Sequence, residues 1–432
     1  MGDSPRFVSA QEAAGLVRAK DTLAVPLGPG QPSDFLKALG AEDRFEDLTV
    51  STALLTDLFE LFMRPGVRLL TGFYGPAERF LRGAGHDVQF VPGDFRRFGV
   101  ILERLHPRVM ATAASRPDEK GRLSLSLHAG ATVTELERCG RDPDRLLIVE
   151  ASPRFPRTVG IEPDSPHCLR MEDVDILIES ESEPFTLQDP APTEVDAAIA
   201  KHVARFVSDG CTLQTGIGGV PSLVVGRLAD GNGGDYGIHS EMFTSGLMKL
   251  HRAGKVTNQK GLYDGVSVCT FAAGTRELYD WLDGNEDVRF LPVERVNDPG
   301  LIGRNRKMIS INGALAVDLA GQVAADTLAG GQFSGIGGHE DFVEGTGQSL
   351  QNRSLVCLPS SSVRDGKRIS RIDAALGTEM LVTTPRHQVD AIITEFGAAE
   401  LFGRTVQERA DALTSIAHPE FRDELRRATL FS

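Results

Sequence analysis

Short apolar runs alternate along the chain with stretches of helical spacing. Seven runs rich in Val, Ile and Leu predict β-strands, at 21–28, 67–73, 146–152, 174–180, 211–218, 354–360 and 389–396. These runs do not alternate cleanly between apolar and polar residues, which is typical of strands buried on both faces of a mostly parallel sheet. Because helical stretches separate the strands, the pattern predicts the α/β class.

Helix signals lie between these strands. Ser9 and Glu12 have the spacing of a capping box at the start of one helix. Two further helices are predicted at 221–230 and 245–254, and Gly254 ends the second of them.

The order of these signals repeats. The stretch 21–39 (DTLAVPLGPGQPSDFLKAL) and the stretch 211–228 (CTLQTGIGGVPSLVVGRL) both read as strand, glycine-rich turn, Pro-Ser and helix. Two more pairs follow in chain order: DEKGRLSLS with DLAGQVAAD, and VDILIES with VDAIITE. The offsets between partners grow from 189 to 200 to 215 residues. This growth indicates an old duplication with insertions in the second copy.

The duplication predicts two similar tandem α/β domains with mostly parallel sheets. We place the N-terminal domain at 1–185 and the C-terminal domain at 195–432. The boundary is expected in the acidic, Pro-rich stretch 179–194.

Charge narrows the range of partners. The chain has 60 acidic residues against 46 Lys and Arg, a net charge of -14. This balance argues against nucleic acid or an anionic membrane as the main partner. Any phosphate-bearing ligand must then be held by backbone N–H groups or by a few basic side chains. No apolar run of 18 residues appears, so no transmembrane helix is expected.

Cysteine usage and the N-terminal residues predict a cytoplasmic protein. The five cysteines are widely spaced and form no CxxC pair, which argues against zinc-ribbon, thioredoxin and disulfide frameworks. The first residues contain no apolar signal-peptide segment. We therefore expect free, mostly buried thiols.

Two glycine-rich loops are candidate binding elements. The first, QTGIGGVPS (214–222), follows a strand and opens a helix, where backbone N–H groups are available to an anion. Pro221 breaks the dinucleotide fingerprint, and no P-loop signature is present. The second, GGQFSGIGGHEDF (330–342), concentrates five glycines. The alternatives are a plain tight turn for the first loop and a flexible linker for the second.

The segment GIHSEMF (237–243) is poorly patterned for either a helix or a strand. It presents one carboxylate, Glu241, between small polar residues and an apolar pair. In isolation such a residue is most simply a surface carboxylate.

Together these stretches resemble the acetyl-CoA hydrolase/transferase family, which includes 4-hydroxybutyrate CoA-transferase. The pieces that carry the resemblance span about residues 200–420: LQTGIGGVPS, YGIHSEMF, KVTNQKG, MISINGALAVDLAGQV, SGIGGHEDF, RISRI, ITEFGAAEL and IAHPEFR. The resemblance implies two similar domains of a CoA-transferase-like fold and a homo-oligomer, a dimer or tetramer.

The resemblance also implies roles for individual residues. It makes Glu241 the nucleophile and Asn312 a CoA contact. It assigns oxyanion or CoA binding to the two glycine loops, at Gly218, Gly219, Val220, Gly335, Gly337 and Gly338. The chain departs from the family pattern at His339, where Gln is common, so contacts to the substrate differ there.

The chemistry of a carboxylate fits this assignment. A Glu of ordinary pKa, about 4.3, is ionised at neutral pH and can attack a thioester without a separate base. Successive exchange steps would pass through a mixed anhydride and a glutamyl-CoA thioester. Backbone N–H groups would stabilise each oxyanion.

Neighbouring residues keep two interpretations each. His239 either orients a reacting carboxylate or is structural, and Met242 either walls the acyl pocket or packs. Arg96 and Arg97 belong to a solvated face or bind CoA phosphates or a substrate carboxylate.

We therefore expect a CoA-transferase that moves CoA between a short-chain acyl-CoA and a carboxylic acid such as acetate. It would use coenzyme A as substrate, with no permanently bound cofactor, metal or redox group. An acyl-CoA hydrolase at the same site is the main alternative. A sugar-phosphate isomerase and a non-enzymatic acyl-CoA sensor are further alternatives.

Overall fold

The computed structural model of the chain describes residues 5–188 and 191–428. The chain forms two compact units, each assembled from two segments. The first comprises Met1–Leu187 and Val268–Val296, and the second Gln188–Ser267 and Asn297–Ser432.

The predicted domains of 1–185 and 195–432 were drawn along the sequence and stay a prediction. The segment Val268–Val296, which that division assigns to the C-terminal domain, is grouped with the first unit. Asp189 and Pro190, within the predicted linker, lie outside the described residues.

The first unit is built on an eight-stranded sheet in which every neighbouring pair of strands is parallel. Its strands are β1 (Arg6–Phe7), β2 (Lys20–Ala24), β3 (Asp47–Ser51), β4 (Val67–Thr71), β5 (Val88–Phe90), β6 (Val109–Ser115), β7 (Leu146–Ser152) and β8 (Ile176–Glu179). Their spatial order is β1-β8-β7-β6-β2-β3-β4-β5. The central strands β6 and β7 are buried almost throughout. For β7 this agrees with the predicted apolar run without alternation, whereas β6 was not predicted from the sequence.

Helices and short elements complete the first unit. The helices of its long segment are α1 (Ala10–Ala14), α2 (Ser33–Gly40), α3 (Pro76–Gly83), α4 (Phe98–Leu105) and α5 (Val133–Gly140). The predicted capping box at Ser9 and Glu12 is confirmed. Smaller elements are 3-10 turns at Gly28–Gly30, Glu60–Met63, Phe95–Arg97 and Met171–Asp173, strands at Arg122–Ser124, Cys168–Arg170, Phe271–Ala272 and Val288–Phe290, and helices at Arg276–Leu282 and Val293–Val296. A strand at Ser267–Cys269 crosses from the second unit into the first.

The second unit is built on a six-stranded sheet. Its strands are β9 (Thr212–Thr215), β10 (Gly237–Ile238), β11 (Met308–Gly313), β12 (Arg353–Cys357), β13 (Ala391–Thr394) and β14 (Gly397–Glu400). Their order is β10-β9-β11-β12-β13-β14. All neighbours are parallel except β13 and β14.

Six labelled helices accompany this sheet: α6 (Glu194–Val203), α7 (Gly219–Asp230), α8 (Ser245–Arg252), α9 (His339–Thr346), α10 (Val406–Ile416) and α11 (Arg422–Arg427). The short elements are a helix at Pro299–Ile302, a 3-10 turn at Pro419–Phe421 and strands at Met242–Phe243, Ala316–Asp318, Val323–Ala324, Thr327–Leu328, Gly331–Gln332, Ser361–Arg364, Lys367–Ser370 and Ile372–Asp373. Within the described residues, no helix has the length and hydrophobicity needed to cross a bilayer.

Each unit has its own apolar core. In the first, α2 buries Phe35, Leu36 and Leu39 in the cluster that includes strand residues Val50 and Ile148. In the second, α10 buries Leu413 and Ile416 with Val356 and Ile392 of the sheet. All five cysteines are free thiols, and four of them are buried.

The two units repeat one strand arrangement. In the first sheet β6, β7 and β8 follow one another outward from β2, and in the second β11, β12 and β13 do so from β9. The predicted duplication therefore has a counterpart in the strand order, and the fold class of two α/β units with large parallel sheets is confirmed.

The repeat extends to single hydrogen bonds. Asp175 accepts from the backbone N–H of Leu147 at 2.8 Å, and Asp390 accepts from that of Ser354 at 3.0 Å. These aspartates are the second residues of the VDILIES and VDAIITE stretches, and their partners lie on the corresponding strands β7 and β12. The two copies thus share this hydrogen bond between neighbouring strands. Asp390 in addition forms an ion pair with Arg353, whose Nε lies 2.7 Å from Oδ2.

Each sheet has a point where the chain changes direction. From β2 the chain runs to β3 on one side and later returns as β6 on the other; from β9 it runs to β10 and returns as β11. Ligands of open α/β sheets bind at the carboxyl ends of the strands at such a point.

In the first unit an internal carboxylate lies at this edge. Glu150 on β7 accepts hydrogen bonds from the backbone N–H groups of Asp34 and Phe35, in the first turn of α2, at 3.3 and 3.0 Å. Ser182 donates to the same carboxylate at 2.9 Å. The donors at the start of α2 are therefore occupied by the protein itself.

Candidate active site

The segment 237–243 forms a loop between two short strands of the second unit. Its ends are the strands Gly237–Ile238 and Met242–Phe243, and the residues between them carry Glu241. Only the middle of the segment is irregular; its two ends form short strands, although the segment as a whole is poorly patterned for one.

Ser240 fixes the loop to the end of β9. It is fully buried, and its hydroxyl lies within hydrogen-bonding distance of two carbonyl oxygens, that of Met242 at 2.8 Å and that of Thr215 at 3.2 Å. The backbone N–H of Thr215 also approaches the Ser240 hydroxyl at 3.4 Å. Because Thr215 is the last residue of β9, Glu241 follows at the carboxyl edge of the sheet, beside the change in chain direction.

Two donors hold the carboxylate of Glu241. The side-chain amide of Asn297 donates to Oε2 at 2.7 Å, and the backbone N–H of Gly338 donates to the same carboxylate. A methyl group on Gly338 would lie 1.9 Å from Oε2 of Glu241 and 2.3 Å from Nδ2 of Asn297. Glycine at 338 is therefore required for this close approach.

A second carboxylate lies on the far side of the amide. Asn297 also donates from Nδ2 to Oδ2 of Asp341 at 3.0 Å, and both Asn297 and Asp341 are fully buried. Burial raises the pKa of Glu241 to about 7, against the lowering effect of Asn297; Asp341 raises this pKa further and Gly338 lowers it. The sequence-based premise of an ordinary pKa was therefore wrong, because it ignored burial.

This environment suits a nucleophilic carboxylate. Near neutral pH a substantial fraction of Glu241 is ionised, and its higher basicity makes the ionised form a stronger nucleophile. The side chain is only half-buried, so it keeps access from outside the protein.

The first glycine loop joins β9 to α7. Gly218 has φ of +122°, a conformation that L side chains rarely adopt, and the helix begins at the next residue. The N–H groups of Gly219 and Val220 lie in the first helical turn, which has no intrahelical acceptors for them. Their use as oxyanion donors stays a prediction.

Asn312 lies at the end of the neighbouring strand. Its amide faces that of Gln214, with each amide nitrogen 3.4 Å from the other residue's amide oxygen. Gln214 Oε1 also accepts from the backbone N–H of Ile311 at 3.2 Å. Asn312, the first glycine loop and Ser240 therefore meet at one sheet edge. The CoA contact of Asn312 stays a prediction.

The second glycine loop ends at α9. Gly338 is its N-cap residue and contacts Glu241 as described, whereas Gly335 and Gly337 lie in the turn that precedes it. Their binding roles stay predictions.

The two histidines proposed as substrate contacts are buried and have protein partners. His239 accepts from the side-chain amide of Asn305 at 3.1 Å, and its ring packs edge-on against Phe342. The Nε2 of His339 lies 3.0 Å from the hydroxyl of Thr384, and burial lowers the pKa of His339 to about 4. These contacts favour structural roles, and substrate contact by either His stays a prediction.

The remaining candidates are not joined to Glu241 by the contacts described. Met242 is half-buried in a short strand. Arg96 and Arg97 belong to the first unit, in a 3-10 turn where both approach Asp94, at 3.7 and 3.5 Å. Across residues 5–188 and 191–428, no three His, Cys, Asp or Glu side chains are grouped to hold a metal ion.

Sequence reasoning missed Asn297, Asp341 and Gln214. Asp341 lies within the quoted stretch SGIGGHEDF, and Gln214 within LQTGIGGVPS. Asn297 follows a short helical turn and has no motif of its own, so the sequence offered no signal for it.

The chain is similar to known proteins over most of its length. A family model for the acetyl-CoA hydrolase/transferase C-terminal domain matches residues 274–429. The 4-hydroxybutyrate coenzyme A transferase of Clostridium kluyveri is 38% identical over 97% of this chain and 96% of its own length. The succinyl-CoA:cyclohexane-1-carboxylate CoA transferase of Geobacter metallireducens is 34% identical over 98% of this chain and 94% of its own length.

A solved structure is also similar over the whole chain. RipA from Yersinia pestis matches with a TM-score of 0.86 and 31% identity, covering 98% of this chain and 96% of that protein. These matches rule out the isomerase and sensor alternatives, and they span both halves of the sequence. The chain belongs to the acetyl-CoA hydrolase/transferase family, among the CoA-transferases that move CoA between an acyl-CoA and a carboxylate.

Proposed function

We propose that Glu241 is the nucleophile and carries CoA as a covalent glutamyl thioester. The observation that supports this proposal is the setting of its carboxylate, bound by Asn297 and the N–H of Gly338 in a site whose burial raises the pKa of Glu241 to about 7.

The reaction is a sequence of displacements. The Glu241 carboxylate attacks the thioester carbonyl, the C–S bond breaks, and CoA leaves as the thiolate. The thiolate then attacks the glutamyl carbonyl of the mixed anhydride, releasing the first carboxylate and forming the Glu241–CoA thioester. A second carboxylate attacks this thioester and reverses the steps, leaving as its CoA ester and restoring Glu241.

Each displacement passes through an oxyanion. We propose that backbone N–H groups at Gly219, Val220 and Gly338 stabilise these oxyanions, with Gly218, Gly335 and Gly337 shaping the loops. One such donor is typically worth about 3 kcal/mol. Every step exchanges a thioester and a carboxylate, so the mechanism requires no redox cofactor.

We further propose a short-chain acyl-CoA and a small carboxylate such as acetate as the substrate pair. The names of the relatives support small acids, since they include 4-hydroxybutyrate, succinyl-CoA and cyclohexane-1-carboxylate. A cytoplasmic homo-oligomer, a dimer or tetramer, completes the proposal.

The test is intact-mass analysis after incubation with acetyl-CoA. We expect a CoA adduct that peptide mapping assigns to Glu241 and that is absent from Glu241→Gln. Glu241→Asp should lose transfer activity about a hundredfold, because a displacement of about 1 Å misaligns the reacting atoms. Full activity in Glu241→Gln, without an adduct in the wild type, would exclude this mechanism.

A second measurement separates transfer from hydrolysis. Transfer of CoA from acetyl-CoA to labelled acetate is compared with net release of free CoA. We expect exchange to exceed release; release without exchange would identify the hydrolase instead.

A further inference from the structure

Asp341 is a fully buried carboxylate with no role in the displacements above. It lies in the first turn of α9, three residues after Gly338, whose N–H reaches Glu241. Its Oδ2 accepts from Nδ2 of Asn297 at 3.0 Å. The burial of an acidic side chain beside a second acidic side chain is costly, so its position calls for a physical reason.

The amide of Asn297 supplies that reason. Its nitrogen has two hydrogens, and it lies 2.7 Å from Oε2 of Glu241 and 3.0 Å from Oδ2 of Asp341. An amide rotated by half a turn would place its oxygen against both carboxylates. Because ionised carboxylates only accept hydrogen bonds, that orientation would replace two attractions with two repulsions.

Glu241 selects this orientation only while it is an ionised carboxylate, because acylation removes its charge. Once Glu241 is acylated it no longer presents a free carboxylate to Asn297. Asp341 is not consumed, so it continues to accept from the amide throughout the cycle.

We propose that Asp341 is a positioning residue that keeps the N–H groups of Asn297 directed at Glu241. This inference rests on the proposed function, since it assigns Asp341 to the same nucleophile. Asp341 acts through Asn297 and does not itself contact the reacting atoms.

Three variants test the proposal. Asp341→Ala removes the acceptor, and Asp341→Asn keeps an oxygen that can accept from Asn297. Asn297→Ala removes the amide itself. The readout is the rate constant of CoA-adduct formation on Glu241, measured by quenched-flow intact mass, together with the KM for acetyl-CoA.

We expect Asp341→Ala to slow adduct formation by about ten- to a hundredfold, while the KM for acetyl-CoA changes by less than about twofold. This combination is expected when a variant misaligns the reacting groups without weakening substrate binding. Asp341→Asn should stay within about fivefold of the wild type. The double variant Asp341→Ala with Asn297→Ala should be no slower than Asn297→Ala alone, because one residue acts through the other.

Asp318 provides a matched control in the same unit. It is also a buried aspartate, and it accepts from the backbone N–H groups of Ala320 and Gln322 at 3.0 and 2.9 Å. Asp318→Ala should lower the melting temperature but leave the rate of adduct formation per folded molecule unchanged.

Each outcome decides the question. Wild-type rates in Asp341→Ala, or additive losses in the double variant, would overturn the positioning role while leaving Glu241 as nucleophile. If Asp341→Ala does not fold, Asp341→Asn remains decisive: a loss as large as that of Asn297→Ala would show that charge rather than hydrogen-bond acceptance matters. Absence of an adduct in the wild type would instead refute the proposed function.

Discussion

Opposed influences set the basicity of Glu241. Burial and the neighbouring Asp341 make its ionised form less favourable, while Asn297 and the N–H of Gly338 make it more favourable. A carboxylate that was fully stabilised would be a weak nucleophile, and one that was fully desolvated would remain protonated. The balance near pH 7 leaves an ionised and reactive fraction under neutral conditions.

The first prediction concerns activity against pH. Only the ionised carboxylate attacks, so kcat/KM should rise between pH 5.5 and 8 with an apparent pKa near 7. The measurement is the rate of acyl exchange at fixed ionic strength. A profile that is flat over this range would contradict the raised pKa.

The second prediction concerns stability at the same residue. The pKa of Glu241 is raised on folding from 4.5 to about 7, so stability present below pH 4.5 is lost as pH rises through 7. Glu241→Gln removes this penalty. The variant should be more stable than the wild type at pH 8, by up to about 3 kcal/mol, and nearly equal at pH 5.

Urea unfolding at both pH values measures this difference. Glu286→Gln, a change at an exposed loop carboxylate, serves as the control and should show no gain at pH 8. An equal gain for Glu241→Gln at pH 5 and pH 8 would mean that ionisation is not its source.

The third prediction concerns the absence of a side chain at Gly338. In Gly338→Ala the methyl group would displace both Glu241 and Asn297, and a shift of about 1 Å should cost on the order of a hundredfold in kcat. The φ of -94° is open to alanine, so the fold should persist. Circular dichroism checks the fold, and exchange kinetics check the loss; near-normal exchange would refute the close approach.

At this scale the sequence pointed to the proposed nucleophile, Glu241, but not to the residues that contact it. Glu241 was found because its segment resembles a family motif. Asn297 lies 56 residues further along the chain, and its contact with Glu241 exists only after folding. The residues next to Glu241 in the sequence do not indicate that its carboxylate is buried. The rise in its pKa could therefore not be predicted from local composition.

At the scale of elements, α7 shows how glycine acts differently at two positions. Gly218, just before the helix, has φ of +122°. Gly226, inside the helix, has no atom within 4 Å of the place where a Cβ would lie. The same substitution should therefore have opposite effects.

The fourth prediction follows from this contrast. Gly226→Ala should raise stability by about 0.5–1 kcal/mol through helix propensity, with exchange activity unchanged. Gly218→Ala should lower stability by at least about 1 kcal/mol, because it forces an unfavourable backbone angle. Thermal unfolding of both variants provides the check, and destabilisation by both would contradict the open environment of Gly226.

Strands could be predicted from the sequence where residues that favour strands also fill the buried positions of the sheet. The strand predicted at 146–152 is present at Leu146–Ser152, because its aliphatic residues fill both faces of the sheet. The adjacent strand Val109–Ser115 was missed, although it is buried throughout. Its sequence, VMATAAS, is rich in alanine, which has little preference for strands, and only its neighbours in the sheet decide its conformation.

At the scale of the whole molecule, the duplication was visible from three matched stretches. The repeated strand order and the paired Asp175 and Asp390 contacts support it, and the duplication itself stays a prediction. The grouping of Val268–Val296 with the first unit was not visible, since it depends on contacts between residues far apart in sequence.

The fifth prediction uses the repeated aspartates. Asp175→Ala and Asp390→Ala each leave a strand N–H without its acceptor and should each destabilise the protein by about 1–3 kcal/mol. Asp175→Asn and Asp390→Asn, which keep an oxygen, should lose less. Urea unfolding measures the four values. Asp390→Ala should lose more, because it also breaks the ion pair with Arg353. A negligible effect of either alanine variant would argue against a stabilising role for the shared hydrogen bond.

The duplicated architecture has a last consequence at the sheet edges. Pairing with β8 and β13 matches Glu150 in the first copy to Cys357 in the second, because Ile178 and Ile393 are their respective partners. In the first copy, the backbone N–H groups at the start of α2 therefore donate to Glu150, a carboxylate on a strand of the same sheet. At the matching position the other copy has a neutral thiol side chain. The first copy therefore satisfies its helix-start N–H groups from within, whereas the second copy has no carboxylate at the matching strand position.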